Sequence, residues 1–285
     1  MVLEHLINLG ELKKPYLLFI YASLITIVSV SLAFLIFPKN TGLVSLFFIT
    51  IAFLPITSGL LRKCEREIKQ NKFEYGSILK FYFIFFLGIT TTFFTLFVTL
   101  PKDVIFLIFY EQIETTKVIS GEVGDAFLVV NAEIAKCYGA TSAKDIFLFI
   151  LQNNLKVLYT CILLSLLFST GAIFIISWNS SVVAAAIGMI ARSSIYEFAR
   201  MHAFEKLASY FAIYSISIAS LMIHGFFELS AYFIGGVAGG ILSVATVNRD
   251  YAPEIAKRVL LLILVASILI LLGAFIEVYI TPLTI

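Results

Sequence analysis

The chain has 285 residues, of which 60% are hydrophobic and only 13% are charged, and its formal net charge is +2. Soluble domains are nearer half apolar and a quarter charged, so this composition excludes an ordinary soluble domain and indicates an integral membrane protein. No basic cluster is interleaved with aromatic residues, which argues against nucleic-acid binding. Three scattered cysteines, Cys64, Cys137 and Cys161, match neither a disulfide framework nor a metal-ligand spacing.

Three apolar segments fill the first hundred residues. A membrane-spanning helix needs roughly 20 mostly apolar residues, and segments 16–37, 43–61 and 75–100 each meet this requirement. The connection at 62–72 carries five basic residues. Because short cytoplasmic loops carry an excess of Lys and Arg, this connection and the N-terminus are predicted to be cytoplasmic.

An acidic connection follows at 101–144, where acidic residues outnumber lysines. Since it shows no positive excess, it is predicted to lie outside the cytoplasm. We expect it to be helical for much of its length, with one helix at 104–113 and another at 125–137.

The second half contains one apolar segment that is too long for a single crossing. Residues 155–178 predict a span back to the cytoplasm, and residues 259–280 predict a last span that places the C-terminus outside. Between them, residues 207–247 would form a helix about 60 Å long, twice the roughly 30 Å hydrocarbon core. Either this segment breaks at Gly225 into a hairpin, or residues 180–200 cross the membrane and the later helix is long, tilted or projecting.

These patterns predict an all-α fold, a polytopic integral membrane helical bundle. We expect six or seven transmembrane helices, with a broken or hairpin segment near His224–Gly225. The chain is predicted to have an N-terminal three-span part at 1–100, an extracytoplasmic acidic region at 101–144 and a helical membrane core at 145–285. The predicted location is the cell membrane, which the chain crosses several times.

A histidine and a carboxylate lie one helical turn apart in the long apolar segment. His224 and Glu228 share a helix face, and ionisable groups in lipid are costly enough to suggest a function such as proton relay, ion coordination or transport. Alternatively, they form a hydrogen-bonded pair that fixes helix register, worth roughly 0.6 to 2 kcal/mol. Two further residues are candidates for this polar site. Arg192 is expected to anchor at the cytoplasmic face or to neutralise Glu197 or Glu228, and Glu277 to reach the outer interface or to lie in a buried site.

Small residues follow the polar pair on the same segment. They form two small-xxx-small spacings, which let helix backbones approach closely, and they are Gly235, Gly236, Gly239 and Gly240. Helix packing is the preferred interpretation, and room for a ligand beside the backbone is the alternative. The packing is either internal or the contact of a homodimer.

Three asparagines bracket the predicted span at 155–178. Asparagine side chains at helix ends commonly bond to free backbone groups or form turns. Asn153, Asn154 and Asn179 are therefore expected to cap or turn the ends of helices.

Signatures of enzymes are missing from the sequence. No Gly-x-Ser-x-Gly precedes a histidine partner, and no His-Glu-x-x-His is present to bind zinc. General acid–base catalysis needs a nucleophile or an activated water within reach of the acid or base. We therefore expect a non-enzymatic role without catalytic residues, metal or cofactor.

Five segments of the second half occur in a characteristic order. They are Phe147–Lys156, Ser165–Gly171, Trp178–Asn179, His224–Gly239 and Ile276–Pro282. The fourth reads His-Gly-x-x-Glu-Leu-x-Ala with a glycine-rich continuation, and it is the most specific. This series resembles the stage II sporulation protein M family of integral membrane proteins. The resemblance covers about residues 145–282 and includes no motif in the first three spans.

The resemblance implies a role as well as an architecture. The named member of that family is a membrane scaffold that localises a cell-wall-degrading complex in sporulating bacteria. Together with the glycine-lined helix, this favours a scaffold or assembly subunit whose partners are lipids and other membrane proteins. The alternative is a transporter or permease-like protein with its polar site at His224 and Glu228. A hydrated cavity reaching Glu228 would favour transport, and a dry, sealed pair would favour the scaffold.

Overall fold

A computed structural model describes residues 14–70, 75–119, 142–193, 203–249 and 252–280. Their regular structure is entirely helical, which confirms the predicted all-α class. The helices are α1 (Pro15–Ile36), α2 (Thr41–Lys69), α3 (Tyr75–Thr99), α4 (Lys102–Ile108), α5 (Tyr110–Ile119), α6 (Ala143–Phe168), α7 (Ala172–Ser193), α8 (Ala203–Val247) and α9 (Pro253–Phe275), with a 3₁₀ turn at Pro38–Asn40 and a π-helix at Ile276–Ile280.

Seven helices of the described ranges are long and apolar enough to cross a membrane, namely α1, α2, α3, α6, α7, α8 and α9. This confirms the predicted polytopic membrane bundle. In α7 and α8 the apolar windows are Ala172–Met189 and Gly225–Val247. The helices α4 and α5, with 7 and 10 residues, are too short to cross a hydrocarbon core of roughly 30 Å.

Three of the crossing helices form the centre of the bundle. At least 61% of the apolar window is buried in α3, α7 and α8, whereas at most 33% is buried in the other four. The exposed side chains of the peripheral helices are large and apolar, such as Leu35, Leu167 and Leu260. Because hydrocarbon solvates such side chains without cost, these surfaces suit contact with lipid.

Aromatic side chains join the first half of the chain to the second. Phe53 of α2 lies edge-on to Phe85 of α3, with ring centroids 4.5 Å apart. On the same helix, Tyr82 stacks on Phe233 of α8 at 5.7 Å. Helices from residues 1–100 therefore share one core with helices from the later part, while the predicted division into three parts stays a prediction.

A tight turn at 169–171 replaces the middle of the span that was predicted at 155–178, so that prediction was wrong. Ser169 has a φ of 58°, and Gly171 lies so close to the carbonyl of Leu164 that a Cβ atom would not fit. The apolar run gave no sign of this turn, because serine, threonine and glycine are tolerated inside membrane helices as well. The chain therefore crosses on each side of the turn, once as α6 and once as α7.

Helix α8 is continuous through His224–Gly225, so the predicted break or hairpin there was wrong. Its 45 residues correspond to about 68 Å of helix, of which only the later part is a candidate crossing. A glycine inside a helix costs only about 1 kcal/mol relative to alanine, and Gly225 is buried in a packed bundle. The second expected arrangement, a crossing before a long helix, matches the structure in outline, but the crossing window is Ala172–Met189 rather than 180–200.

The ends of the helices define two faces of the bundle. At one face, Asn248 after α8 donates a hydrogen bond to the carboxylate of Glu65 near the end of α2, at 3.1 Å. Lys69 Nζ lies 3.2 Å from the same carboxylate. The α6–α7 turn belongs to this face as well, because Ser169 Oγ lies 2.9 Å from Ser243 Oγ of α8. Which face is cytoplasmic stays a prediction from the charge pattern.

The region at 101–144 is described only in part. Instead of one helix at 104–113, two short helices, α4 and α5, meet at Phe109. Phe109 is buried against Phe97 of α3, with ring centroids 5.0 Å apart. The predicted helix at 125–137 lies outside the described residues.

Candidate functional site

Polar side chains of α6, α7 and α8 surround a partly open cavity of about 170 Å³. Most of its lining comes from residues that sequence reasoning singled out or that lie next to them. The lining residues are Asn153, Asn154, Val157, Asn179, Val183, Gly225, Glu228, Leu229 and Tyr232. Apolar surface at the valines and the leucine alternates with amide, carboxyl and phenol groups, as is usual in sites for small ligands.

The core of this site is a chain of hydrogen bonds between α6 and α8. Asn154 Nδ2 donates a hydrogen bond to Glu228 Oε1. The hydroxyl group of Tyr232 donates to Asn154 Oδ1 at 3.1 Å. Glu228 and Tyr232 are four residues apart on α8 and therefore share a face, so a single asparagine on α6 can bridge them. Tyr232 was not predicted, although its spacing from Glu228 was a signal that could have found it.

The three asparagines lie inside helices, so the expectation that they cap or turn helix ends was wrong. Asn153 and Asn154 lie well inside α6, whose N-terminal cap is Ser142, with a reciprocal capping box to Asp145. Asn179 lies inside α7, where its Nδ2 atom donates to the carbonyl of Ile175 at 2.8 Å. Mid-helix asparagines in an apolar segment mark a polar site.

Glu277 belongs to the same region of the bundle. It lies in the π-helix that continues α9 and is only 7% exposed, so the expectation that it reaches the outer interface was wrong. Its carboxyl group interacts electrostatically with that of Glu228. Gly273 lets α9 lie close to α8 at this point, because a Cβ atom there would lie 3.0 Å from Glu228 Cγ. Single π-helical turns are rare and frequently occur at functional sites.

The other two predicted members of the polar site have different outcomes. The backbone of His224 is part of α8, but its side chain lies outside the described part of the chain. Arg192 donates from one guanidinium nitrogen to the carbonyls of Phe97 and Leu100, both at 2.9 Å, and thereby caps the end of α3.

The expected pairing of Arg192 with Glu228 is therefore wrong. The end of α3 is at the opposite face from the Arg62–Lys69 stretch, so placing Arg192 at the cytoplasmic face conflicts with the predicted orientation as well. The other expected partner, Glu197, lies outside the described residues.

The four glycines contact neighbouring helices of the same chain. Gly235 lies against Leu158 and Gly239 against the carbonyl of Ile162, both on α6. A Cβ atom at Gly236 would lie 2.5 Å from Ala172 Cβ, and one at Gly240 would lie 2.6 Å from a methyl group of Leu61. This face is therefore occupied by internal contacts. The tight packing begins at Gly235, three residues after Tyr232, so the cavity adjoins the closed part of the α6–α8 interface.

The chemistry available at the cavity is that of a polar binding site. The carboxyl group of Glu228, three amides and a phenol offer hydrogen-bond donors and acceptors but no strong nucleophile. Among the described residues, no group of three or more His, Cys, Asp or Glu side chains could hold a metal ion. Cys161 is completely buried. The arrangement can bind a small polar or charged solute.

Comparisons with known proteins identify a family for this chain. The family described as "Stage II sporulation protein M" matches residues 18–282, so the match extends through the first three spans as well. Uncharacterized protein MJ0793 of Methanocaldococcus jannaschii is 32% identical over 140 residues, which are 47% of this chain and 69% of that protein. No solved structure matches. Because the family match includes nearly the whole chain, this membrane protein belongs to the stage II sporulation protein M family.

Proposed function

We propose that this protein is a membrane transport protein that carries a small polar or charged solute through the site at Glu228. The observation that carries the proposal is the cavity of about 170 Å³ that reaches this carboxyl group between three crossing helices. A group whose only role was to fix helix register would be sealed by its neighbours. Glu228 is instead one of the residues that line the cavity.

The position of the cavity supports access from one side. Glu228 lies 19 residues before Val247, so it is about 28 Å along α8 from the face with Glu65 and Asn248. The glycine contacts between α6 and α8 separate the cavity from that face. With the predicted orientation, the cavity belongs to the extracytoplasmic half of the bundle and is closed toward the cytoplasm. Transport then requires rearrangement of α8 against α6.

The scaffold hypothesis has weaker support from the geometry. Its main sequence argument was the glycine row, and the glycines contact helices of the same chain rather than leaving a face for a partner. The family description, Stage II sporulation protein M, is its remaining support. A scaffold is expected to keep stable protein partners after mild solubilisation of native membranes, so recovery of the protein alone would contradict that hypothesis.

Reconstitution tests the transport proposal. Purified protein in liposomes is exposed to jumps in NaCl, KCl or methylammonium chloride while charge movement is recorded on a solid-supported membrane, and to glycerol or urea in a swelling assay. We expect at least one probe to cross with the wild-type protein and not with Glu228→Gln. Glu254→Gln, at an exposed position of α9, is the matched control and should behave as wild type. Equal flux through wild type and Glu228→Gln, or no flux of any probe, contradicts the proposal.

A further inference from the structure

The hydrogen bonds around the cavity leave oxygen acceptors for a ligand. Carboxylate and carbonyl oxygens only accept, so the partners fix how each amide is turned. Asn154 gives an N–H to Glu228, and Tyr232 gives its hydroxyl hydrogen to Asn154. Asn179 gives an N–H to the carbonyl of Ile175. The second carboxyl oxygen of Glu228 and the side-chain oxygen of Asn179 remain as acceptors. Asn154 and Asn179 each keep a second N–H as well, so the charged groups decide which sign of ligand the cavity favours.

The charged groups at the site favour a cation. None of the nine lining residues is a lysine, arginine or histidine. His224 lies one turn before Glu228, but its side chain is not among those described, so it is not counted here. Glu277 adds a second carboxyl group that interacts electrostatically with Glu228. An ionised carboxylate without an oppositely charged partner is costly in a low-dielectric region. A positively charged ligand relieves this cost, and an anion increases it.

We infer that the cavity binds a small monovalent cation, an alkali-metal ion or a small ammonium ion. Glu228 supplies the charged oxygen and Asn179 a neutral one. Asn154 and Tyr232 are positioning residues that hold the carboxyl group toward the cavity. The inference rests on the proposed function, since it names the class of solute that the transport site takes.

Size and ligand number agree with this class. A volume of about 170 Å³ is far more than one water molecule needs, so a monovalent ion can enter with part of its hydration shell. Ca²⁺ usually takes about six to eight oxygen ligands, and Mg²⁺ demands near-ideal octahedral geometry. In the described ranges no cluster of three or more acidic, histidine or cysteine side chains is found.

Binding can be measured without transport, because the chain has a single tryptophan. Trp178 precedes Asn179 on α7 and packs against the core. The purified protein in detergent is titrated with NaCl, KCl and methylammonium chloride while Trp178 fluorescence is recorded. N-methyl-D-glucamine chloride keeps the ionic strength constant.

We expect a saturable fluorescence change for at least one of these cations. Glu228→Gln should weaken its binding at least tenfold, and Asn179→Leu should weaken it too. Glutamine retains an oxygen that accepts from Asn154, so Glu228→Gln should fold. Circular dichroism and gel filtration check this, and Glu254→Gln is the control.

Several results would overturn the inference. They are unaltered cation binding in Glu228→Gln, a response that depends on the anion, and a response to pH alone, which would indicate that Glu228 takes a proton instead. Comparing the affinities for sodium, potassium and methylammonium shows whether the ligand is an alkali-metal ion or a small ammonium ion. Cation binding without flux in liposomes would contradict only the transport proposal. Glu228-dependent passage of glycerol or urea without cation binding would contradict only the cation inference.

Discussion

The contact between α6 and α8 makes a quantitative prediction for Gly239→Ala. The added methyl group would meet the carbonyl oxygen of Ile162 and lie 2.9 Å from Ser165 Cβ, closer than ordinary contact distances. Both neighbours are main-chain or first side-chain atoms that cannot rotate away. The two helices must therefore separate by roughly half an ångström or more, and overpacking of this kind costs about 1 to 3 kcal/mol.

A matched control isolates that cost. Alanine is a better helix former than glycine by about 1 kcal/mol, so part of the packing cost is offset in Gly239→Ala. Gly76 lies in the first turn of α3, and no heavy atom lies within 4 Å of a Cβ atom built there. Gly76→Ala therefore gains stability from the higher helix propensity of alanine and creates no steric clash. The free energies of unfolding of the two variants should differ by about 1 to 3 kcal/mol, with Gly239→Ala the less stable.

Equilibrium unfolding in mixed micelles measures this difference. The protein is titrated with sodium dodecyl sulfate, and far-ultraviolet circular dichroism and Trp178 fluorescence follow the loss of structure. Gly239→Leu should be affected more severely, because a larger side chain meets the same backbone. If Gly239→Ala were as stable as Gly76→Ala, the close approach of α6 and α8 at this point would be refuted.

The other structural predictions concern individual hydrogen bonds and accessibility. Tyr232→Phe removes the donor to Asn154 and should lower the free energy of unfolding by about 0.6 to 1.7 kcal/mol in the same unfolding titration; no loss would indicate that the phenol is bonded elsewhere. Arg192→Met removes both bonds to the end of α3 and should cost about 1 to 3 kcal/mol, of which Arg192→Lys should recover part, and equal stabilities of the two variants would argue against a capping role. In intact cells, an impermeant maleimide should label Cys137, which the charge pattern places outside, but not the buried Cys64 and Cys161; labelling of Cys137 only in inside-out vesicles would reverse the predicted orientation.

The number of crossing helices could be predicted because apolar length is a direct physical requirement of the bilayer. The positions of the turns were predicted less accurately than the number of crossing helices. In water, a run such as Ser169-Thr170-Gly171 would suggest a turn, but in lipid the same residues also occur inside helices. Conversely, Gly225 was taken as a break although packing holds it inside a continuous helix. Local signals of breaks are therefore weaker in a membrane segment than its overall hydropathy.

The polar site could be predicted in part. Glu228 was found because a carboxylate is rare in an apolar run, and Glu277 was found for the same reason. Asn154 was noticed but assigned to a helix end, since its true neighbours depend on where α6 begins. Its bond to Glu228 joins residues 74 positions apart, and no local pattern encodes such a distance. Arg192 was paired by charge, whereas the structure pairs it with backbone carbonyls.

The unbroken course of α8 has a mechanical consequence. A helix without a hinge between Ala203 and Val247 turns and shifts as one rod, so a twist applied at its far end is carried to Glu228 without being absorbed on the way. Close to 25 residues separate that end from the carboxyl group, about 38 Å of helix. A partner bound at the beginning of α8 could therefore change the hydrogen bonds of Asn154 by rotating or shifting the whole helix.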